Sequence, residues 1–165
     1  MTIRLTTYED ISQLIQIFAA AQQTMRNSGN LHQWGDGYPS EDIIREDIAG
    51  NNSYVIEHQD RVVATFACII GRDPSYATIY EGQWLDDEQP YSTIHRIASL
   101  PDVHGVAHAA FNFAMKLTHN LRIDTHHDNT IMRHILLREG FTYCGIIHLQ
   151  RSGDERLAYQ KINQT

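Results

Sequence analysis

Apolar and polar side chains alternate over residues 3–7 (Ile3, Arg4, Leu5, Thr6, Thr7), the period-two pattern of a half-buried strand. The period then lengthens. Ile11, Leu14, Ile15, Ile17, Phe18 and Ala21 recur mostly at steps of three and four, which predicts an amphipathic helix opened by Tyr8, Glu9 and Asp10. Asn27, Ser28, Gly29 and Asn30 are its stop signals. Residues 31–39 carry no period and read as a loop, whose Trp34 and Tyr38 either cover an opening in the fold or pack on its surface. Ser40 is placed to cap a short helix with Ile43, Ile44 and Ile48 on its apolar side, closing at Gly50, Asn51 and Asn52. Two strands follow at residues 53–57 and 61–70, joined by the polar turn His58-Gln59-Asp60 as an antiparallel hairpin. Residues 77–85 extend this meander, and residues 86–90 form a solvated acidic turn.

The second half repeats the two periods in another order. Residues 94–100 form a buried central strand broken by Pro101, and a helix begins near His104 with Phe111, Ala114, Met115 and Leu117 continuing it. A further strand at residues 121–126 makes this strand, helix and strand one parallel crossover. Residues 129–139 read as a helix with Ile131, Ile135 and Leu136 on its apolar side and Gly140 as its stop. Residues 141–149 and 155–162 close the chain as a hairpin around Ser152-Gly153-Asp154.

Composition narrows the class. The 165 residues suit one domain, 1–165, and 42% apolar with 20% charged residues is an ordinary globular mixture. No apolar run is long enough for a signal core or a membrane span, which predicts a soluble cytoplasmic protein. Cys68 and Cys144 sit in separate apolar runs and make neither a disulfide framework nor a zinc spacing, as expected in a reducing compartment. A formal charge of −7 argues against nucleic acid and would draw in a cationic amine. Ten histidines can reverse the sign of a local patch just below neutral pH.

Candidate chemistry gathers around the central strand. The segment Asp102-Val103-His104-Gly105-Val106-Ala107 turns from strand into helix with small residues at Gly105 and Ala107. It is either a phosphate cradle at the positive end of a helix or a helix start kept small for packing. A second segment decides between them. His95-Arg96-Ile97-Ala98-Ser99-Leu100-Pro101 followed by Gly105-Val106-Ala107, and then Asn129, Met132, Ile135 and Gly140-Phe141, resemble the GNAT superfamily of acetyl-CoA-dependent N-acetyltransferases over nearly the whole chain.

The resemblance implies a single-domain α/β (α+β) fold with a mixed central sheet of about six to seven strands, about four flanking helices, and a fourth and fifth strand that splay apart. Ile97, Ala98 and Ser99 would contact pantetheine, the amides of His104, Gly105, Val106, Ala107 and His108 would hold the pyrophosphate, and Asn129 would complete the acetyl-CoA site. Asp102 departs from the family's pattern and must cap the helix or turn to solvent. Leu136 departs too. It stands where many members carry the Tyr thought to protonate the leaving thiolate.

Transfer to an amine needs a base, and His95, Asp124 and His126 are the candidates, the last two sharing one face of a strand. Tyr143, Tyr38 and Tyr91 are unranked candidates for the acid. Asp124, His126, His127 and Asp128 have zinc-ligand chemistry but not a compact spacing, so no metal is assigned. Cys144 is either a reactive thiol or a buried one. The expected function is transfer of an acetyl group from acetyl-CoA to a primary amine of a small molecule or peptide; the alternative is a non-catalytic acyl-CoA-binding sensor. Acetyl-CoA and the amine acceptor are the expected partners, with a second copy of the chain a further candidate and neither nucleic acid nor membrane implicated.

Overall fold

In the computed structural model, which describes residues 1–163, the period-two segments become seven strands of one sheet. These are β1 (Thr2–Leu5), β2 (Ser53–His58), β3 (Arg61–Ile70), β4 (Ser92–Ser99), β5 (Asn120–Thr125), β6 (Thr142–His148) and β7 (Glu155–Ile162), in the spatial order β1-β2-β3-β4-β5-β7-β6. Every neighbouring pair is antiparallel except β4 and β5. The helices are α1 (Ile11–Asn27), α2 (Glu41–Ala49), α3 (Val106–Thr118) and α4 (Thr130–Arg138). Ser40 caps α2 as its sequence implied, accepting the Ile43 N–H at 3.3 Å. The helix at the start of the chain begins later than expected, because residues 8–10 form a 3-10 turn in which the Asp10 carboxylate accepts the Thr7 N–H at 2.7 Å.

Adjacent strand residues face opposite sides of the sheet, and this sorts the core. Ile56, Ile94 and Ile123 pack with α3 and α4, together with Phe111, Leu136 and Phe141. Val55 and Ala98 pack on the other side with Ile11, Leu14, Ile17 and Phe18 of α1 and Ile44 and Ile48 of α2. On that second side the helices cover only one half of the sheet. Over β5, β6 and β7 lies the connection 71–91, whose Tyr76, Trp84 and Tyr91 pack against Cys144, Ile147 and Ala158.

That connection is not the strand expected at residues 77–85. It holds one 3-10 turn (Pro74–Tyr76) and a single bridge, Tyr80 to Ile146. The reason is that the edge of β3 is already taken by β4, while the aromatic side chains of the connection find a partner below it. The fully buried Arg122 guanidinium lies 4.0 Å from both the Trp84 and Tyr91 ring centroids and donates to Asp87 Oδ1 at 2.9 Å. The acidic turn at its end is formed as expected, with Asp86 Oδ1 accepting the Glu88 and Gln89 N–H groups.

The parallel pair is short. Only Ser92 with Leu121 and Thr93 with Arg122 are in register, so β4 and β5 part beyond them, in agreement with the expected splay. Within β4, Arg96 has φ +53° and neither it nor Ile97 has a partner in the register of β3. The bulge is held by a two-pronged ion pair from the Arg96 guanidinium to Asp47 of α2, at 2.8 and 2.7 Å.

Candidate active site

Two clefts open from the splay. One is a groove of about 560 Å³ lined by residues 97–108, by Met25 of α1 and by Met132, Ile135 and Arg138 of α4. The other, about 280 Å³, lies on the α1 side and is lined by His95, Asp124, Tyr38, Gln33 and Arg156 among others. Met25, Ile97, Asn129 and Met132 line both, so the clefts meet there.

The groove contains Ile97, Ala98, Ser99 and the whole run His104, Gly105, Val106, Ala107 and His108. Helix α3 starts at Val106 rather than His104, because Gly105 at φ +83° is its N-cap. Its first i→i−4 bond is Ala109 N–H to the Gly105 carbonyl, which leaves the amides before it without an intrahelical partner. A Cβ on Gly105 would have no neighbour within 4 Å, so the groove is open at that point. Asp102 is exposed, and among the described residues its carboxylate accepts no hydrogen bond; it turns to solvent instead of capping. His108 is tied to the Glu139 carboxylate at 3.0 Å. Arg138, which the sequence reading passed over, adds a cation to the groove wall.

In the smaller cleft, Ile94 and Ile123 pack toward α3 at its border, and their neighbours His95 and Asp124 lie on the opposite face of the sheet, on the α1 side. His95 Nε2 lies 3.0 Å from Asp73 Oδ2. Burial would raise the Asp73 carboxyl, but the His95 ring and the Ser75 backbone N–H outweigh it and hold Asp73 below the usual carboxylate range. An ionised carboxylate can only accept, so Nε2 is the donor, and in the neutral ring the lone pair is on Nδ1. The Asp73 N–H donates to the Tyr91 hydroxyl at 2.8 Å, fixing the pair to the aromatic packing around Arg122. Asp124 accepts from the buried Tyr76 hydroxyl at 2.6 Å. Burial, then the Asp124 charge, keep the Tyr76 phenol protonated.

Other candidates fall elsewhere. β5 ends at Thr125, so His126 does not share a strand face with Asp124. The His126 ring instead accepts the Asp128 N–H at Nδ1, 2.9 Å, and burial with the nearby Arg156 charge depresses its protonation. Tyr143 on β6 is 45% exposed, packs edge-on against Tyr159, and lines neither cleft. Tyr91 is buried beneath the connection, and of the three phenols only Tyr38 reaches the cleft. Cys144 is buried, its thiol pushed up by that burial, and lies outside both clefts. Asn129 lies at the junction as the cap of α4, accepting the Met132 N–H at 3.0 Å while its amide donates to Gln33 Oε1 at 2.9 Å. Through Gln33, Trp34 and Tyr38 the loop at residues 31–39 both covers the opening and packs into the fold, so its two readings are one. Among the described residues no group of three or more His, Cys, Asp or Glu could hold a metal ion, and no helix is long and apolar enough to cross a membrane.

Leu136 is fully buried among core side chains and does not line the groove, whereas Ile131 of the same helix is 50% exposed. A phenol introduced at that position meets packed neighbours rather than a ligand. Leu136→Tyr should therefore destabilise the fold by about 1–3 kcal/mol through overpacking, read from the midpoint of chemical denaturation.

The fold matches those of solved acetyltransferases. The chain is 34% identical to a GNAT-family acetyltransferase from Streptococcus agalactiae, covering 99% of this chain and 96% of that one, with a TM-score of 0.89. An acetyltransferase from Staphylococcus aureus superposes with a TM-score of 0.71 at 20% identity, covering 98% and 99% of the two chains. Naa50 of Arabidopsis thaliana, in complex with the bisubstrate analogue CoA-Ac-MVNAL, shares the fold at 12% identity, with 98% of each chain covered and a TM-score of 0.62. No protein-family model and no curated protein sequence matches the chain. The protein is an acyltransferase by class. It belongs to the GNAT family of acetyltransferases.

Proposed function

We propose that the protein transfers the acetyl group of acetyl-CoA to a primary amine of a small molecule or peptide by direct attack, with His95 as general base. The observation that carries this reading is the Asp73–His95 pair, whose His95 lines the smaller cleft beside Ile97, where that cleft meets the groove. A sensor needs no such base.

Residues 97–99 and the amides of residues 104–108 fit the thioester's carrier: the edge of β4 is unpaired there, and the groove ends on helix N–H groups with Arg138 nearby. His95 Nδ1 removes a proton from the acceptor ammonium, Asp73 stabilises the resulting imidazolium, and the freed lone pair attacks the thioester carbon. A main-chain N–H of the Arg96–Ile97 bulge is the donor assigned to the carbonyl oxygen as it gains charge. Collapse of the intermediate breaks the C–S bond, and the proton still carried by the acceptor nitrogen passes to the departing sulfur, so CoA leaves as its thiol while His95 returns its own proton to solvent. A thiol with an ordinary pKa near 8.5 leaves with little assistance, which suits a chain with Leu136 where a phenol would stand.

The cradle is tested by Gly105→Glu. The added carboxylate should weaken acetyl-CoA binding at least about tenfold in a calorimetric titration, since it faces the pyrophosphate. Gly105→Ala carries the same left-handed backbone strain, about 1–2 kcal/mol of stability, without the charge and should retain binding. Equal affinities for the wild type and a folded Gly105→Glu protein would remove the cradle from residues 104–108.

A further inference from the structure

Among the described residues, the smaller cleft contains a buried guanidinium with no ion-pair partner. Arg156 on β7 is 4% exposed and lines the cleft with Asp124. The two lie on one face, because Asp124 pairs with Ala158 and Arg156 is two residues from Ala158 along its strand. Its hydrogen bonds go to main-chain carbonyls: Nη1 donates to Glu155 O and Nη2 to Gln33 O, both at 2.9 Å. Among the described residues it forms no ion pair. The other two guanidiniums withdrawn from water are different. Arg96 holds Asp47 and Arg122 holds Asp87.

A charge removed from water without an ion-pair partner is costly, and Arg156 shows it: burial pulls its guanidinium below the ordinary value, against the fields of Asp124 and Asp154. A second guanidinium stands close by. Arg151, exposed in the β6–β7 turn, lies 4.2 Å over the Tyr38 ring, lines the same cleft, and likewise has no ion pair among the described residues. The same cleft also has the opposite character, with Asp124 and with His95, which Asp73 backs.

We propose that the acceptor is an amino-carboxylate: its ammonium lies toward Asp124 and His95, and its carboxylate pairs with Arg156, assisted by Arg151. The assignment deepens the transfer reading above and rests on it for the role of His95. A polyamine would set cations against two guanidiniums with nothing to offer them. An amino acid answers both signs of charge in the cleft, and a volume of about 280 Å³ suits a molecule of that size. The overall charge of −7 points to a purely cationic substrate, but the cleft has its own local sign.

The test is direct binding, which needs no turnover. The protein saturated with CoA is titrated calorimetrically with a panel of α- and ω-amino acids, each matched with its carboxamide. At least one acid should bind ten- to a hundredfold more tightly than its amide, the range of a charge-assisted hydrogen bond. Arg156→Gln should abolish the difference and Arg156→Lys retain part of it; Arg151→Gln, on an exposed side chain, should reduce it. Amides that bind as well as their acids, or a panel with no binding acid, overturn the assignment, and this comparison stands on the wild type alone if a buried Arg156 variant does not fold. Release of CoA thiol from acetyl-CoA in parallel mixtures separates the two readings. An acid that binds but is not acetylated sinks the transfer and leaves the ligand standing, whereas acids and amides acetylated equally sink the ligand and leave the transfer.

Discussion

Replacing His95 with Gln should lower kcat by about 10²–10⁴-fold and leave the acetyl-CoA dissociation constant nearly unchanged. The amide fills a similar volume and can still donate toward Asp73, but it has no basic nitrogen to take the acceptor's proton. Asp73→Asn should cost a comparable factor by a different route. An Asn side chain can turn its NH₂ toward Nε2, which moves the ring proton to Nδ1 and removes the lone pair from the cleft. The pH profile distinguishes these from a binding defect. Wild-type turnover should fall with acid as the imidazole is protonated, and in His95→Gln the remaining rate should follow only the ionisation of the acceptor amine. Wild-type kcat and an unaltered acid limb in folded His95→Gln would place the base elsewhere. Asp124→Asn should instead raise the KM for acceptor, since Asp124 meets the ammonium and Tyr76 rather than the transferred proton.

Gly82→Ala should be the most damaging small substitution in the chain. An added Cβ would lie 1.9 Å from the Cys144 carbonyl oxygen and 2.9 Å from its carbon, both main-chain atoms of β6 that no side-chain rotation can move. Gly145 makes the reciprocal approach, where a Cβ would lie 2.6 Å from the Tyr80 carbonyl oxygen. The two glycines let the connection 71–91 lie flat on β6 at the Tyr80–Ile146 bridge. The expected loss is roughly 2–4 kcal/mol, or about 5–15 °C in Tm. Gly153→Ala is the control: it has a positive φ and open space, so it carries strain without a clash. Because Asp73 is at the start of the same connection, activity in Gly82→Ala should fall further than stability alone explains. A Tm within a degree or two of the wild type would mean that the connection does not depend on this contact.

Much of the architecture was legible because periodicity reports burial directly. The Ile11, Leu14, Phe18 stripe, the Ser40 cap and the Gly140 stop each correspond to observed structure, and the splay follows from the family resemblance at residues 95–107. The connection 71–91 was misread because aromatic residues in an extended stretch look the same whether they pair in a sheet or lie across it. What decides is Arg122, 31 residues beyond Tyr91 and uninformative by itself. The proposed base and its carboxylate partner were half legible for the same reason. His95 stands on a recognisable strand, whereas Asp73 sits before a proline and reads as the end of β3; no spacing connects positions 22 residues apart. His126 was lost to a one-residue error at the end of β5, which is enough to turn a side chain out of a strand face. Arg156 carried no pattern at all, since an unpaired charge is visible only after its surroundings are.

The short seam between β4 and β5 also bears on how the chain assembles. Strands β1 to β4 come from residues up to 99 and β5 to β7 from residues 120–162, and within each group every pairing is antiparallel. Each half-sheet holds one hairpin, β2–β3 or β6–β7, from which its antiparallel pairing can spread, whereas the two rungs that join the halves require the α3 crossover to be in place first. The clefts have no existence in either half. Their walls come from both, so the site is completed only when the last and weakest pairing of the sheet closes.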